Sequence, residues 1–146
     1  MAHAHPTEPH TARVVTAFEH LRPDNIDALL ALYAPDARFK DPFNDVRGHA
    51  GIRRIFTHMF ETLQAPRFDV REAVTQGPQA FLTWDFQVRR EGGQALTIHG
   101  ATHLRFDAQG LVTEHRDYWD AAEELYAKLT VLGALMRWLQ RRLQAR

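Results

Sequence analysis

Residues 80–119 have the sequence AFLTWDFQVRREGGQALTIHGATHLRFDAQGLVTEHRDYW, in which apolar and polar side chains alternate over three stretches. Such alternation is typical of strands that bury one face. The stretches are separated by residues 91–93 (EGG) and 107–110 (DAQG), both typical of hairpin turns. The sequence therefore predicts an antiparallel meander with Leu82, Trp84 and Phe86 on its buried face.

The segments on either side of this meander show mainly the apolar spacing of helices. We predict helices at residues 11–22, 24–34 and 51–65, and short strands at 37–43 and 67–76. Residues 1–10 are predicted to form a disordered tail, and residues 121–146 an amphipathic basic helix belonging to the same domain as residues 11–120. The predicted order, α-α-β-α-β-β-β-β-α, indicates an α+β fold in which a curved antiparallel sheet packs on three helices, with a C-terminal helical extension.

The composition excludes several classes of protein. Eighteen basic and eighteen acidic residues give a formal net charge of zero, so we expect no binding of nucleic acid. Cysteine is absent, which excludes disulfides, thiolate zinc sites and a cysteine nucleophile. Apolar runs are much shorter than the roughly 20 residues of a membrane span, and residues 1–10 lack an apolar secretion signal. We therefore expect a cytoplasmic protein without membrane contact.

The alternation of the strands predicts which polar side chains face the core. Gly100 and Thr102 share the inner face with Ile98 and Leu104. If residues 107–110 form a four-residue turn, Thr102 pairs with His115 and Gly100 with Asp117, so that His115, Asp117 and Trp119 point inward. A three-residue loop with a bulge instead places Arg116 inside. The sequence leaves both registers open.

Two aspartates are candidates for acid-base chemistry. A carboxyl group on an apolar face is costly unless it is hydrogen-bonded or paired, and an inward Asp117 beside Gly100 is suited to general acid-base catalysis. Alternatively, Asp117 pairs with Arg47, Arg53 or Arg116 and ties the sheet down. Asp41 precedes Pro42 at the end of the first predicted strand, where it is also typical of a carboxylate that closes a turn.

The order of several motifs resembles the nuclear transport factor 2-like superfamily, which includes SnoaL-like polyketide cyclases and ketosteroid isomerase. The motifs are residues 26–42 (IDALLALYAPDARFKDP), Gly48 with Ile52 and Phe56, and the pattern Gly100…Leu104-Arg105-Phe106-Asp107…Gly110…Arg116-Asp117-Tyr118-Trp119-Asp120. The resemblance implies a cone-shaped α+β fold with a deep apolar pocket. It matches Asp41 to the general base of ketosteroid isomerases and makes Asp117 the candidate for the acid-base aspartate of SnoaL-like cyclases.

The resemblance also implies a function. An apolar carbonyl substrate would be bound without a cofactor or metal, Asp41 or Asp117 would take a proton next to the carbonyl, and His115 or Thr102 would donate to the enolate oxygen. The positions of the isomerase's own oxyanion donors correspond here to Ala17 or Phe18 and to Thr102, so both donors are missing. The expected substrate-binding residues are Tyr33, Phe56, Trp84, Phe86, Gly100, Thr102 and Trp119.

Other functions remain open at this point. The same fold supports non-catalytic ligand-binding or protein-interaction modules. A further alternative is epoxide-hydrolase-like activation of water by Asp41, Arg116 and Asp117. In each case we expect an apolar small-molecule ligand or a docking partner. We also expect a homodimer formed through the convex face of the sheet, where Phe81 needs cover.

Overall fold

The computed structural model describes residues 8–89, 93, 95–124 and 131–143. Residues 1–7 of the predicted tail, most of the predicted turn at 91–93 and residues 125–130 of the predicted C-terminal helix lie outside this part of the chain. The described helices are α1 (Pro9–Glu19), α2 (Ile26–Leu30), α3 (His49–Thr62), α4 (Ala121–Glu124) and α5 (Val131–Leu143). The described strands are β1 (Tyr33–Lys40), β2 (Asp45–Arg47), β3 (Gln64–Gln76), β4 (Gln79–Arg89), β5 (Ala95–Phe106) and β6 (Val112–Tyr118).

The six strands form one curved sheet in the order β2-β1-β6-β5-β4-β3, so the predicted α+β class is confirmed. Neighbouring strands are antiparallel except β1 and β6, which are parallel. The prediction of a wholly antiparallel sheet is therefore wrong at this pair. Parallel strands need a long crossover connection, which β2, α3 and strands β3–β5 supply here.

The first strand begins earlier than predicted. Tyr33 opens β1, although the sequence places it at the end of a helix, and α2 is only five residues long. Pro35 lies within β1, where the register against β6 shifts between Tyr33 and Arg38. Proline donates no backbone N–H, so this irregular stretch accommodates it. The short strand β2 was not predicted, because three residues are too few to show alternation.

The register of the β5–β6 hairpin differs from both predicted alternatives. Thr102 pairs with Asp117 and Leu104 with His115, and a bulge lies where the pairing passes from Arg105 to Phe106. The pairing is thus shifted by two residues from the four-residue-turn prediction. Because side chains on a strand alternate with a period of two, this shift keeps His115 and Asp117 on the inner face. Arg116 pairs with His103 on the outer face, so the alternative register is wrong.

The core lies between the inner face of the sheet and helices α1 to α3. Phe18 of α1 contacts Phe56 of α3 and Phe68 of β3, with ring centroids 5.8 Å and 5.5 Å apart. These contacts join two helices to the far edge of the sheet. Other buried members of the core are Val14, Val15, Leu29, Leu30, Ile52, Val70, Leu82, Leu104 and Val112.

An ionic cluster around a buried carboxylate lies on the opposite, outer face of the sheet. The Asp85 side chain is 7% exposed and accepts hydrogen bonds from Arg71 Nε at 2.6 Å and from His99 Nδ1. Burial raises the pKa of Asp85, but the hydrogen bonds from Arg71 and His99 outweigh burial, and the pKa lies below its usual value. The cluster links β3, β4 and β5.

Removing this carboxylate should destabilise the fold. We expect Asp85→Ala to lower the free energy of unfolding by about 1–3 kcal/mol, because two charged hydrogen bonds are lost. Asp45→Ala is the matched control, since its ion pair with Arg38 is exposed, and it should have a much smaller effect. Urea denaturation at pH 7 measures both variants. Equal losses in the two would contradict the structural role of Asp85.

The same cluster predicts a dependence on pH. The pKa of Asp85 is lower in the folded chain than in the unfolded chain. Its contribution to stability is therefore complete above the unfolded pKa of about 3.9 and is lost as the pH falls through the folded value. The difference between wild type and Asp85→Ala should shrink as the pH is lowered below about 4. A difference in stability that stays constant down to about pH 2.5, well below the unfolded pKa, would contradict this interpretation.

Candidate active site

A cavity of about 320 Å³ lies between α3 and the inner face of the sheet. Among the described lining residues, Asp41 and Asp117 carry the two carboxyl groups, and none is a lysine or an arginine. The aromatic lining residues are Phe39, Phe43, Phe56, Phe68, Trp84, Phe86 and Trp119. The cavity is therefore suited to a flat apolar molecule that meets a carboxylate at one point.

Asp117 is held firmly through one of its two carboxylate oxygens. Its side chain is 15% exposed, and its Oδ1 lies 2.6 Å from Thr102 Oγ1, which donates to it, and 2.7 Å from His115 Nε2. Thr102 in turn accepts a hydrogen bond of 2.8 Å from Trp84 Nε1. Oδ2 has no hydrogen-bond partner among the described residues. The carboxylate is thus oriented by the protein and retains one unoccupied oxygen.

The hydrogen bonds continue from His115 into the core. His115 Nδ1 lies 2.7 Å from the hydroxyl oxygen of Tyr33, and both residues are almost completely buried. The imidazole also stacks on Phe39, with ring centroids 4.4 Å apart. This contact depends on the parallel pairing of β1 and β6, in which Phe39 lies opposite His115.

Asp41 makes a different set of contacts. Its Oδ1 accepts hydrogen bonds from the backbone N–H groups of Phe43 and Asn44, at 2.8 Å and 2.7 Å. The Asn44 side-chain amide lies 3.1 Å from both carboxylate oxygens. The carboxylate therefore closes the turn between β1 and β2, as one of the two sequence interpretations has it, and it also borders the cavity.

Gly100 makes room for a protein side chain. A Cβ built on Gly100 would lie only 2.6 Å from Cζ2 of Trp84 and closer still to Cη2, far inside van der Waals contact. The two residues are cross-strand partners on β4 and β5. Gly100 was expected to bind substrate, but the space beside it is filled by the indole ring of Trp84, which forms part of the cavity wall.

Apart from Gly100, the predicted site residues fall into two groups. Those that line the cavity are Asp41, Phe56, Trp84, Phe86, Asp117 and Trp119. Tyr33, Thr102 and His115 lie behind the wall and contact Asp117 directly or through one another. The lining residues that the sequence did not single out include Phe39, Phe43, Phe68, His58 and Met59. The i, i+2 spacing of His115 and Asp117 on one strand face was the sequence signal for their contact.

The arginines predicted to accompany Asp117 lie elsewhere. Arg53 pairs with Asp27 on the surface, and Arg47 donates to the backbone oxygen of Asp36. Arg116 borders a shallow, open depression with Asp41 and Asp117, but its guanidinium lies over the ring of Tyr118. The prediction that an arginine ties Asp117 to the sheet is therefore wrong, and Arg116 does not join the aspartates in the aromatic cavity.

Two further findings concern ions and membranes. In the part of the chain that the structure describes, no three histidine, aspartate or glutamate side chains are grouped to hold a metal ion. None of the described helices combines the length and the hydropathy needed to cross a bilayer.

The fold agrees with comparisons to known proteins. The chain belongs to the SnoaL-like domain family, whose model matches residues 14–115, and so to the nuclear transport factor 2-like superfamily that the motifs resemble. It is similar to the steroid Delta-isomerase of Nocardioides simplex, with 28% identity over 95 residues that cover 63% of this chain and 74% of the relative.

Solved structures share this fold at low sequence identity. TerC, co-crystallised with polyporic acid, superposes with a TM-score of 0.69 at 21% identity, covering 80% of this chain and 95% of TerC. A Mycobacterium tuberculosis protein in complex with estradiol-17beta-hemisuccinate gives a TM-score of 0.63 at 16% identity, covering 80% and 95% of the two chains. A ketosteroid isomerase-like protein from Catenulispora acidiphila, in complex with trimethylamine, gives 0.69 at 18% identity, covering 82% and 92%.

Proposed function

We propose that this protein is a cofactor-independent enzyme that transfers a proton on an apolar carbonyl compound, in the manner of an isomerase or cyclase. The observation that carries the proposal is the geometry of Asp117. Its Oδ1 is fixed by Thr102 and His115, while Oδ2 has no hydrogen-bond partner among the described residues. The Asp117 side chain lines an aromatic cavity. When the protein holds a carboxylate in place through one oxygen, the other oxygen can act as a general base on a ketone bound beside it.

The proposed step moves one proton. Asp117 Oδ2 takes a proton from the carbon next to the carbonyl, the electrons of that C–H bond form a carbon–carbon double bond, and the π electrons of the carbonyl move to its oxygen, which gives an enolate. Asp117 then returns the proton to the same or another carbon. Thr102 and His115 both contact Asp117 Oδ1, so these contacts do not support their expected role as donors to the enolate. Among the described lining residues, Trp119 and His58 have ring N–H groups that could donate to the enolate oxygen instead.

Hydrogen exchange tests this function without knowledge of the natural substrate. The probes are 2-tetralone and larger polycyclic ketones dissolved in D₂O, with loss of the α-proton signal followed by NMR. We expect the protein to accelerate exchange above the buffer rate, and an excess of a non-enolisable aromatic hydrocarbon to compete for the cavity and slow it. Exchange at the buffer rate for every ketone would contradict the proposal.

The second candidate is a non-catalytic ligand-binding module. The observation that favours it is that Thr102 and His115, the donors expected for the enolate oxygen, both contact Asp117 Oδ1 instead. This candidate predicts that the same ketones bind, as seen by quenching of tryptophan fluorescence, without any acceleration of exchange. A co-purified ligand in a crystal structure would then identify the class of molecule that is carried.

We further propose a homodimer that forms through the outer face of the sheet. Val74, Phe81 and Tyr118 are 62%, 49% and 51% exposed there, and such a group of apolar side chains is typical of an interface. Light scattering after gel filtration should give the dimer mass, and Phe81→Glu should give the monomer. Phe43→Glu is the matched control, because Phe43 is 56% exposed but lies at the cavity. A wild-type monomer would contradict the proposal.

A further inference from the structure

We infer that Tyr33 and His115 are positioning residues for Asp117. In this inference, which rests on the proposed function, Tyr33 keeps His115 neutral with its hydrogen on Nε2, and His115 orients the carboxylate without forming an ion pair with it. Asp117 thereby keeps its full negative charge and presents Oδ2 to the cavity. Neither positioning residue contacts the ligand itself.

The hydrogen bond from Tyr33 determines the protonation of His115. Burial and the nearby charge of Asp117 raise the pKa of Tyr33 well above its usual value, so the phenol keeps its hydrogen. That hydrogen has no acceptor among the described residues other than His115 Nδ1, which lies 2.7 Å from the hydroxyl oxygen. A nitrogen that accepts this bond carries no hydrogen of its own. Nδ1 is therefore the unprotonated nitrogen.

The other nitrogen must then carry the hydrogen of the neutral ring. Nε2 lies 2.7 Å from Asp117 Oδ1, and an N–H donor at this position satisfies both groups. An imidazolium would instead place a second hydrogen between Nδ1 and Tyr33, and the phenol hydrogen would lose its acceptor inside the core. Such a loss is costly for a buried group. The stack on Phe39 holds the ring in this orientation.

This arrangement gives His115 a different role from the one we expected. Both of its nitrogens are engaged, by Tyr33 and by Asp117, and the residue is 2% exposed. It cannot deliver a proton to a ligand in the aromatic cavity while these bonds are intact. A neutral donor to Oδ1 fixes the carboxylate but does not neutralise it, so Oδ2 remains a base.

The protonation of His115 is observable by NMR in the full chain. With ¹⁵N-labelled histidine, long-range ¹H–¹⁵N correlations distinguish the two neutral tautomers and the imidazolium, and the spectrum of His115→Gln assigns the signals. We expect the wild type at pH 6 to show a protonated Nε2 and an unprotonated Nδ1. In Tyr33→Phe, Nδ1 loses its donor, and we expect its signal to move toward the protonated position.

The control for this substitution is Tyr118→Phe. Tyr118 lies on the outer face of the sheet and is 51% exposed, so its variant should leave the His115 signals unchanged. An imidazolium or an Nδ1–H tautomer in the wild type would overturn the inference. Identical His115 spectra for the wild type and for a folded Tyr33→Phe variant would overturn the inference as well.

A conservative substitution separates positioning from proton transfer. The side-chain amide of glutamine can donate to Asp117 and accept from Tyr33, whereas it cannot carry a proton to a substrate. His115→Gln should therefore retain ketone exchange within a few-fold of the wild type, while His115→Leu and Tyr33→Phe should each lower it about tenfold with little change in KM. Equal losses for the glutamine and leucine variants would contradict the positioning role.

The two proposals fail in different ways. If the wild type accelerates no ketone exchange, the proposed function is wrong, and the histidine spectra still decide whether Tyr33 sets the protonation of His115. If exchange is accelerated but the spectra show an imidazolium, the function stands and the positioning inference is wrong.

Discussion

Asp117→Asn is expected to lower the rate of ketone exchange by about 10²–10⁴-fold, the usual contribution of a general base. Asparagine has nearly the same size as aspartate, and its amide oxygen can still accept from Thr102 and His115. The variant therefore removes the basic oxygen while leaving most of the contacts of the side chain in place. Exchange kinetics with 2-tetralone measure the loss, and thermal unfolding should show a change of only a few degrees.

Asp41→Asn is the informative comparison, because Asp41 borders the same cavity. Its Oδ1 closes a turn through the backbone N–H groups of Phe43 and Asn44, and an amide oxygen can replace it there. We therefore expect Asp41→Asn to retain most of the exchange activity. Asp107→Asn is the matched control, since Asp107 closes the turn before β6 in the same way, away from the cavity.

The outcome of this comparison identifies the base. A large loss in Asp41→Asn with normal exchange in Asp117→Asn would move the role to Asp41, which the resemblance to ketosteroid isomerases implies. Large losses in both variants would mean that the two carboxylates act together. Normal exchange in both, on a ketone that the wild type turns over, would refute the carboxylate mechanism.

Gly100→Ala is expected to destabilise the fold and to disturb the cavity wall. The new methyl group would lie 2.6 Å or less from two carbons of the Trp84 ring, so the indole must move out of its place. Overpacking of this kind costs about 1–3 kcal/mol. The hydrogen bond from Trp84 to Thr102 should also lengthen or break, which weakens the support of Asp117. Urea denaturation gives the loss of stability, and tryptophan fluorescence reports the displacement of the ring.

The double variant Gly100→Ala with Trp84→Phe tests this cause. A phenyl ring is smaller than an indole, so the methyl group introduced by Gly100→Ala should fit beside it. The two substitutions should therefore cost less together than the sum of their separate effects. Strictly additive losses would show that Gly100 is required for some other reason, and full stability in Gly100→Ala would show that the indole moves freely.

Local pattern predicted much of the fold. The alternation in residues 80–106 predicted strands that the structure shows as β4 and β5, and the apolar spacing after residue 51 predicted a helix that corresponds to α3. In the four-residue-turn register, one of the two that the sequence left open, alternation placed Asp117 on the inner face, although the pairing itself was wrong. A two-residue shift leaves the side of each residue unchanged, so the face is a more robust prediction than the pairing.

The contacts of the site required the tertiary structure. Tyr33 and His115 are 82 positions apart in the chain and meet because β1 and β6 pair in parallel. No periodicity predicts that pairing, since the two strands are joined through α3 and four other strands. The sequence by itself determined the strands and their apolar face, and it left an inward Asp117 among aromatic side chains as one of two alternatives. Only the folded chain decided which oxygen of that carboxylate is occupied, because hydrogen bonds between distant residues depend on strand order and register, which local sequence does not encode.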